Sequence, residues 1–179
     1  MKRFIPKLTL KTLCTLGLLI AITALLSIFC TFRIGSIVKI PVKFISVFVT
    51  GAIFGPLLGG MTGAIGDLLN CLLAPSGPII PQITVIEFFC GFVYGLFFFK
   101  AGLSKKAYIT RTVLCVLVQF FIDMFITTAL FVQLGWYPSF ASAFATRLIA
   151  GIIKPFLHTV VLLASRKYID KFRQIALKN

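Results

Sequence analysis

Apolar residues along this chain come in long unbroken runs, separated by short segments where glycine, proline and charge collect. The runs predict six helices, at about 12–32, 40–54, 57–74, 82–99, 112–134 and 140–164, and an amphipathic tail over 165–179. At ~1.5 Å per residue most of them are long enough to cross a bilayer. Between the first two lies a polar loop, Arg33 to Lys39. Composition agrees with the pattern: 59% of residues are hydrophobic, 12% are charged, and the mean hydropathy is +1.07. Such runs are membrane spans and not a soluble core. Residues 1–179 therefore read as one all-α membrane domain without linker, low-complexity segment or internal repeat.

The stretch from Gly51 to Glu87 is the exception to this uniform apolarity. It holds two of the four acidic residues, seven of the fourteen glycines and four of the eight prolines. Gly51, Gly55, Gly59 and Gly63 recur at four-residue steps, and Pro56 interrupts them. A helix ending near Phe54, a Gly55-Pro56 turn and a new helix from about Leu57 follow. On that new helix Gly59, Gly63, Gly66 and Asn70 share one face, and Gly60, Ala64, Asp67 and Cys71 the next. Small residues on one face allow another backbone to approach closely, and the acid beside them needs a polar partner.

A net charge of +14 would suggest nucleic acid in a soluble chain, but its placement argues for membrane topology and no nucleic-acid partner. Thirteen of the eighteen basic residues form three clusters: Lys2, Arg3, Lys7 and Lys11; Lys100, Lys105, Lys106 and Arg111; and Arg166, Lys167, Lys171, Arg173 and Lys178. Loops 3–4 and 5–6 have none. Six spans with both termini in the cytoplasm satisfy this asymmetry, with the surrounding lipid as one partner. The first run follows a basic start but is too long for a signal peptide and is expected to be retained. Cys14, Cys30, Cys71, Cys90 and Cys115 lack paired spacing and read as small apolar residues, with no metal site implied.

Helical rise puts Asp67, Glu87 and Arg147 each within about 10 Å of the outer end of its helix, with Asn70, Gln82 and Thr84 in the same layer. Above them lie Arg33 and Lys39, with Lys43 one turn further on. A charge inside a bilayer costs about 3 kcal/mol unless it meets a partner or a wet cavity, so these groups are expected to line a chamber open to the outside. Two alternatives stand at this point. The loop cations either snorkel to headgroups or attract an anion, and the acids either receive a ligand or pair with Arg147. Deeper, Asp123 and Lys154 fall at equal depth and read as an ion pair, with His158 below as packing. No ATP-binding, metalloprotease or serine-hydrolase motif is present, so no cofactor and no energy-coupling chemistry are expected within the chain.

The pattern Phe54-Gly55-Pro56, Gly66-Asp67-Leu68-Leu69, Pro75-Ser76-Gly77-Pro78, Pro81, Thr84, Gly91 and Tyr94-Gly95-Leu96 resembles the substrate-binding S-components of energy-coupling factor (ECF) vitamin transporters, most of all the folate-type subfamily. The resemblance extends from the first helix through the fourth, and more loosely to Arg147 and Lys154. It implies six helices, a pocket on the extracellular side, no ATPase of its own, and a membrane T-component with two cytoplasmic ATPases as partners in a bacterial cell membrane. Docking to that T-component typically uses two alanines four residues apart on helix 1, where this chain has Gly17 and Ala21. The expected substrate is a vitamin, with folate favoured and another small vitamin or precursor as the alternative. Arg33, Lys39, Lys43, Asp67, Asn70, Glu87 and Arg147 are the expected binding residues. From other classes, an intramembrane enzyme using Asp67, Glu87 or His158, or a scaffold subunit, remains open.

Overall fold

The computed structural model describes residues 9–29, 31–34, 38–74, 79–99 and 104–177. Helix α1 (Leu10–Phe29) leads into an antiparallel hairpin of β1 (Thr31–Ile34) and β2 (Val38–Pro41). Next come α2 (Phe44–Phe54), α3 (Pro56–Leu73) and α4 (Pro81–Phe98). Helix α5 (Lys105–Phe121) runs through a π-helical segment, Ile122–Ile126, into α6 (Thr127–Gln133), and α7 (Phe140–Leu177) completes the chain. Among the described residues four helical runs are long and apolar enough to cross a membrane: Leu10–Phe29, Pro56–Leu73, Pro81–Phe98 and Lys105–Gln133. A fifth is added when the two parts of α7, bent by 45° between Ile149 and Gly151, count as one span. The molecule is an all-α, multi-span membrane protein whose short hairpin is its one strand pair among the described residues.

The hairpin is where the expected elements and the structure differ most. Residues read as the end of the first helix, the connecting loop and the start of the second helix pair instead as strands, with Arg33 opposite Lys39 in the register. Thr31, Ile34, Val38 and Ile40 are β-branched, and Pro41 cannot donate within a helix, so strand pairing wins over helix here. Helix α2 therefore begins only at Phe44 and has 11 residues. Helix α5 starts earlier than expected, at Lys105, because the Ser104 hydroxyl accepts from the Ala107 N–H at 3.4 Å and caps it. The expected tail over 165–179 continues α7 without a break as far as Leu177. Ile169 of that tail is buried in the main core, while Tyr168 and Phe172 are exposed.

Glycine builds one half of the molecule. Gly55 has φ 100°, a conformation that favours glycine, and Pro56 follows as the first residue of α3, so α2 and α3 fold back on each other. Helices α2, α3 and α4 then pack backbone to backbone. A Cβ on Gly59 would lie 2.7 Å from the Gly91 carbonyl oxygen, and one on Gly51 would lie 2.8 Å from the Gly95 nitrogen. Further along α3, a Cβ on Gly63 would come within 2.5 Å of the Glu87 carbonyl oxygen. That crossing fixes the height of α4 against α3, and hence which of their polar side chains meet.

The other half is packed by side chains. Phe44, Phe48, Tyr94, Phe98, Tyr108, Cys115, Leu162 and Ile169 form the main buried cluster, which joins α2 and α4 to α5 and α7. The Tyr108 hydroxyl donates to the Leu162 carbonyl at 2.8 Å and locks α5 to α7. Met124, in the π segment, fills a notch at Gly151, where a Cβ would lie 2.5 Å from its sulfur. Strand β2 lies against α7, so the hairpin sits at the end of the bundle where α2 and α4 begin.

Candidate functional site

Two charged groups face one another across the bundle. The first is centred on Lys43, the residue preceding α2. Its ammonium lies 3.0 Å from Glu87 Oε1 and 3.6 Å from Asp67 Oδ1. A cation at a helix N-terminus is disfavoured by the helix dipole, by ~0.3–1 kcal/mol near a surface, so Lys43 does not serve α2 and is held by the two carboxylates. Thr84 donates to Asp67 Oδ2 at 2.9 Å, which orients that carboxylate. The glycine crossing makes this possible: Gly63 brings α3 against the backbone of Glu87, and one turn on Asp67 meets Thr84. The side chains of Lys43 and Asp67 are 8% and 9% exposed, that of Glu87 27%. Formal charges leave this group one negative charge in excess.

The second group is centred on Asp123, in the π segment, whose turn is closed by the Thr127 N–H on the Ile122 carbonyl, which also accepts from Thr127 Oγ1 at 3.2 Å. Asp123 Oδ1 accepts from Arg147 Nη2 at 2.8 Å, and Oδ2 accepts from Lys154 Nζ at 2.9 Å. Arg147 also donates from Nη1 to Thr128 Oγ1 at 2.9 Å, and its guanidinium lies 4.9 Å from the centre of the Phe131 ring. This group carries one positive charge in excess.

Between the groups lies a cavity of about 140 Å³. Lys43 and Glu87 line it on one side, and Asp123, Thr127, Gly151 and Lys154 on the other. Phe44, Tyr94 and His158 belong to the same lining. The His158 ring centre is 4.0 Å from that of Phe44, and its Nδ1 shares a 3.2 Å hydrogen bond with the Tyr94 hydroxyl. Gln119 donates to the Cys90 carbonyl at 2.8 Å and ties α5 to α4 beside the cavity. The lining combines aromatic and aliphatic surface with few polar groups, the usual chemistry of a small-molecule site.

Of the residues expected from sequence, Lys43, Asp67 and Glu87 come together. Asn70 is half-buried one turn beyond Asp67, outside the cavity lining. Arg147 does not approach Asp67 or Glu87. It is drawn to Asp123, so the alternative in which Arg147 pairs with those acids gives way to a pair between α7 and the π segment. The side chains of Arg33 and Lys39 lie outside the described part of the structure, although their backbones are register partners in the hairpin. The pairing of Asp123 with Lys154, expected from equal depth, is present. Its position on the cavity wall was not anticipated, because nothing in the sequence marks residues 122–126 as a π turn.

This arrangement is that of a membrane-embedded binding subunit, and the family follows from comparison. The chain belongs to the S-components of ECF-type transporters: the family model described as "ECF-type riboflavin transporter, S component" matches residues 7–167. Among individual proteins it is similar to the folate transporter FolT of Clostridium novyi (strain NT), 30% identical over 136 residues, 75% of this chain and 76% of that protein. It is also similar to FolT of Streptococcus mutans serotype c, 32% identical over 152 residues, 78% and 76% of the two chains. Among solved structures, the crystal structure of FolT bound with folic acid superposes with a TM-score of 0.69 at 27% identity, covering 90% of this chain and 94% of that one. The S component of a bacterial ECF transporter shares the fold, with a TM-score of 0.64 at 21% identity and coverage of 94% and 98%.

Proposed function

We propose that this chain is the folate-capturing subunit of an ECF-type importer. The observation that carries this is the cavity with an excess negative group on one wall and an excess positive group on the other. Folate has matching ends: a pterin edge of N–H donors that a carboxylate can accept, and a glutamyl end that is itself anionic. Riboflavin, the vitamin in the family model's description, is neutral and makes no use of two opposed charged groups. Likeness to two folate transporters and to a folic acid-bound structure supports the same choice. Glu87, which lines the cavity, is the proposed acceptor for the donor edge; Asp67, buried behind it and outside the lining, shares Lys43 with it. Asn70 flanks them, and Arg33 and Lys39 attract the anion at the hairpin. Arg147 acts behind the wall.

The topology proposed with this function has six spans and both termini in the cytoplasm. Helix α2 is the sixth span, completed toward the outside by the hairpin, and the basic clusters mark the cytoplasmic side. The hairpin end and the cavity then face outward. The subunit hydrolyses nothing; a T-component and two cytoplasmic ATPases supply the energy. Gly17 and Ala21 are both exposed on α1, and a Cβ on Gly17 would meet no atom within 4 Å, which suits a docking face for a partner helix. Gly17→Leu should abolish uptake while the isolated subunit still binds folic acid; equal loss of both would remove this face from docking.

Mass spectrometry of small molecules released from the purified subunit tests the substrate. Folate recovered intact is the expected result. Riboflavin recovered in its place would reassign the subunit, and a turned-over product would make it an enzyme.

A further inference from the structure

We propose that Lys154 accepts the anionic end of the ligand and that Asp123 is its positioning residue, an assignment that rests on the folate reading above. Five cations lie outside the three basic clusters: Arg33, Lys39, Lys43, Arg147 and Lys154. Two of the three within the helical bundle are already committed. Lys43 is almost fully buried between two carboxylates, in a group whose excess charge is negative. Arg147 is held by Asp123, Thr128 and the face of Phe131, and it does not line the cavity. Lys154 differs on each count. It lines the cavity, its side chain is 22% exposed, and of its three N–H donors one goes to Asp123.

Asp123 makes this presentation possible. Arg147 and Lys154 are seven residues apart on α7, about 10 Å along the axis, and lie on either side of its bend. One carboxylate between them, carried on the π segment of the facing helix, satisfies Arg147 with one oxygen and steadies Lys154 with the other. Two cations on one carboxylate leave a charge unbalanced, and in a bilayer interior an unbalanced charge seeks a counter-ion. Among the described residues Lys154 is ion-paired with Asp123, and its side chain borders the cavity. Pro155, which also lines it, has no N–H to give the Gly151 carbonyl, so this wall carries polar backbone beside the ammonium. A carboxylate reaching Lys154 neutralises the group without displacing Arg147.

The test compares folic acid with its diamide, in which both glutamyl carboxylates are carboxamides, by calorimetric titration of the full-length purified chain. The wild type should prefer folic acid by about tenfold or more, the effect of one charge-assisted contact in a dry site. Lys154→Met should lower folic acid affinity by a similar factor and abolish the preference, because the diamide never used the charge. Lys154→Arg should recover part of it. If the methionine variant does not fold, Lys154→Gln, which keeps a donor for Asp123, takes its place with the same expectation. A purely structural Lys154 would weaken both ligands equally and leave the preference intact, which overturns the assignment. So does a wild type that binds both ligands alike, although the folate reading survives that result. A wild type that binds no folic acid overturns the folate reading, and this assignment with it.

Discussion

The half of the molecule built from α2, α3 and α4 and the half built from α5, α6 and α7 meet at one cavity but are made by opposite means. In the first, glycines bring helix backbones into contact and leave no room for adjustment, as at Gly59 against Gly91 and Gly51 against Gly95. Its charged group orders itself around one lysine shared by two carboxylates. In the second, the helices are irregular: a π turn at Ile122–Ile126, a 45° bend at residue 150 and Pro155 within α7. Contacts there are made by side chains such as Met124, and the charged group centres on one carboxylate shared by two cations. Backbone packing fixes the shape of one wall, whereas the π turn, the bend and Pro155 expose polar backbone on the other. The negative group thus sits on a wall built by backbone contact and the positive group on one built by side chains and an irregular helix.

The largest expected effect comes from breaking the rigid half. Gly91→Leu puts a side chain where the backbone of α3 already lies, and it should leave no folded protein in size-exclusion chromatography. Gly151→Ala, whose nearest neighbours are the flexible end of the Met124 side chain, should be recovered folded with a modestly lowered melting temperature. Equal behaviour of the two would remove the distinction. Next in size is Lys43→Met, which leaves Asp67 and Glu87 without their cation and should cost about 3–5 kcal/mol of stability, read as a large drop in melting temperature. Arg147→Met should cost less, because Lys154 still serves Asp123. Smaller again is Glu87→Gln, expected to weaken folic acid binding by ~1.5–3 kcal/mol, about tenfold to a hundredfold, with ligand-free stability roughly kept. The smallest is Thr84→Val, where loss of one hydrogen bond to Asp67 should cost about 1 kcal/mol in affinity.

Much of the rigid half is legible in the sequence because its signals are local. Gly55-Pro56 ends one helix and starts another, and four-residue glycine spacing announces close packing before any partner is known. Asp67 beside that stripe needed a polar neighbour, and Lys43 and Thr84 supply it. The hairpin was partly legible, since the stretch from Arg33 to Lys39 reads as a break between helices, but its flanks, Thr31 with Phe32 and Ile40 with Pro41, read as helix ends because they continue apolar runs. The second half resists such reading. Depth along a straight helix put Arg147 in the layer of Glu87, yet a long side chain and a bent helix carry its guanidinium to Asp123 instead. A π turn shifts which residues face inward and has no marker in composition, so Asp123 reads as an ordinary buried pair until the turn is seen. The site residue hardest to find was the one whose helix is least regular.

Calorimetric titration of the purified full-length chain with folic acid and, separately, with riboflavin tests the central claim most directly. A cavity with opposed charged walls should give a saturable heat with folic acid at near one-to-one stoichiometry and none with riboflavin at the same concentrations. Tight riboflavin binding with no folic acid heat would contradict the account, and the two charged groups would then hold helices together and nothing more.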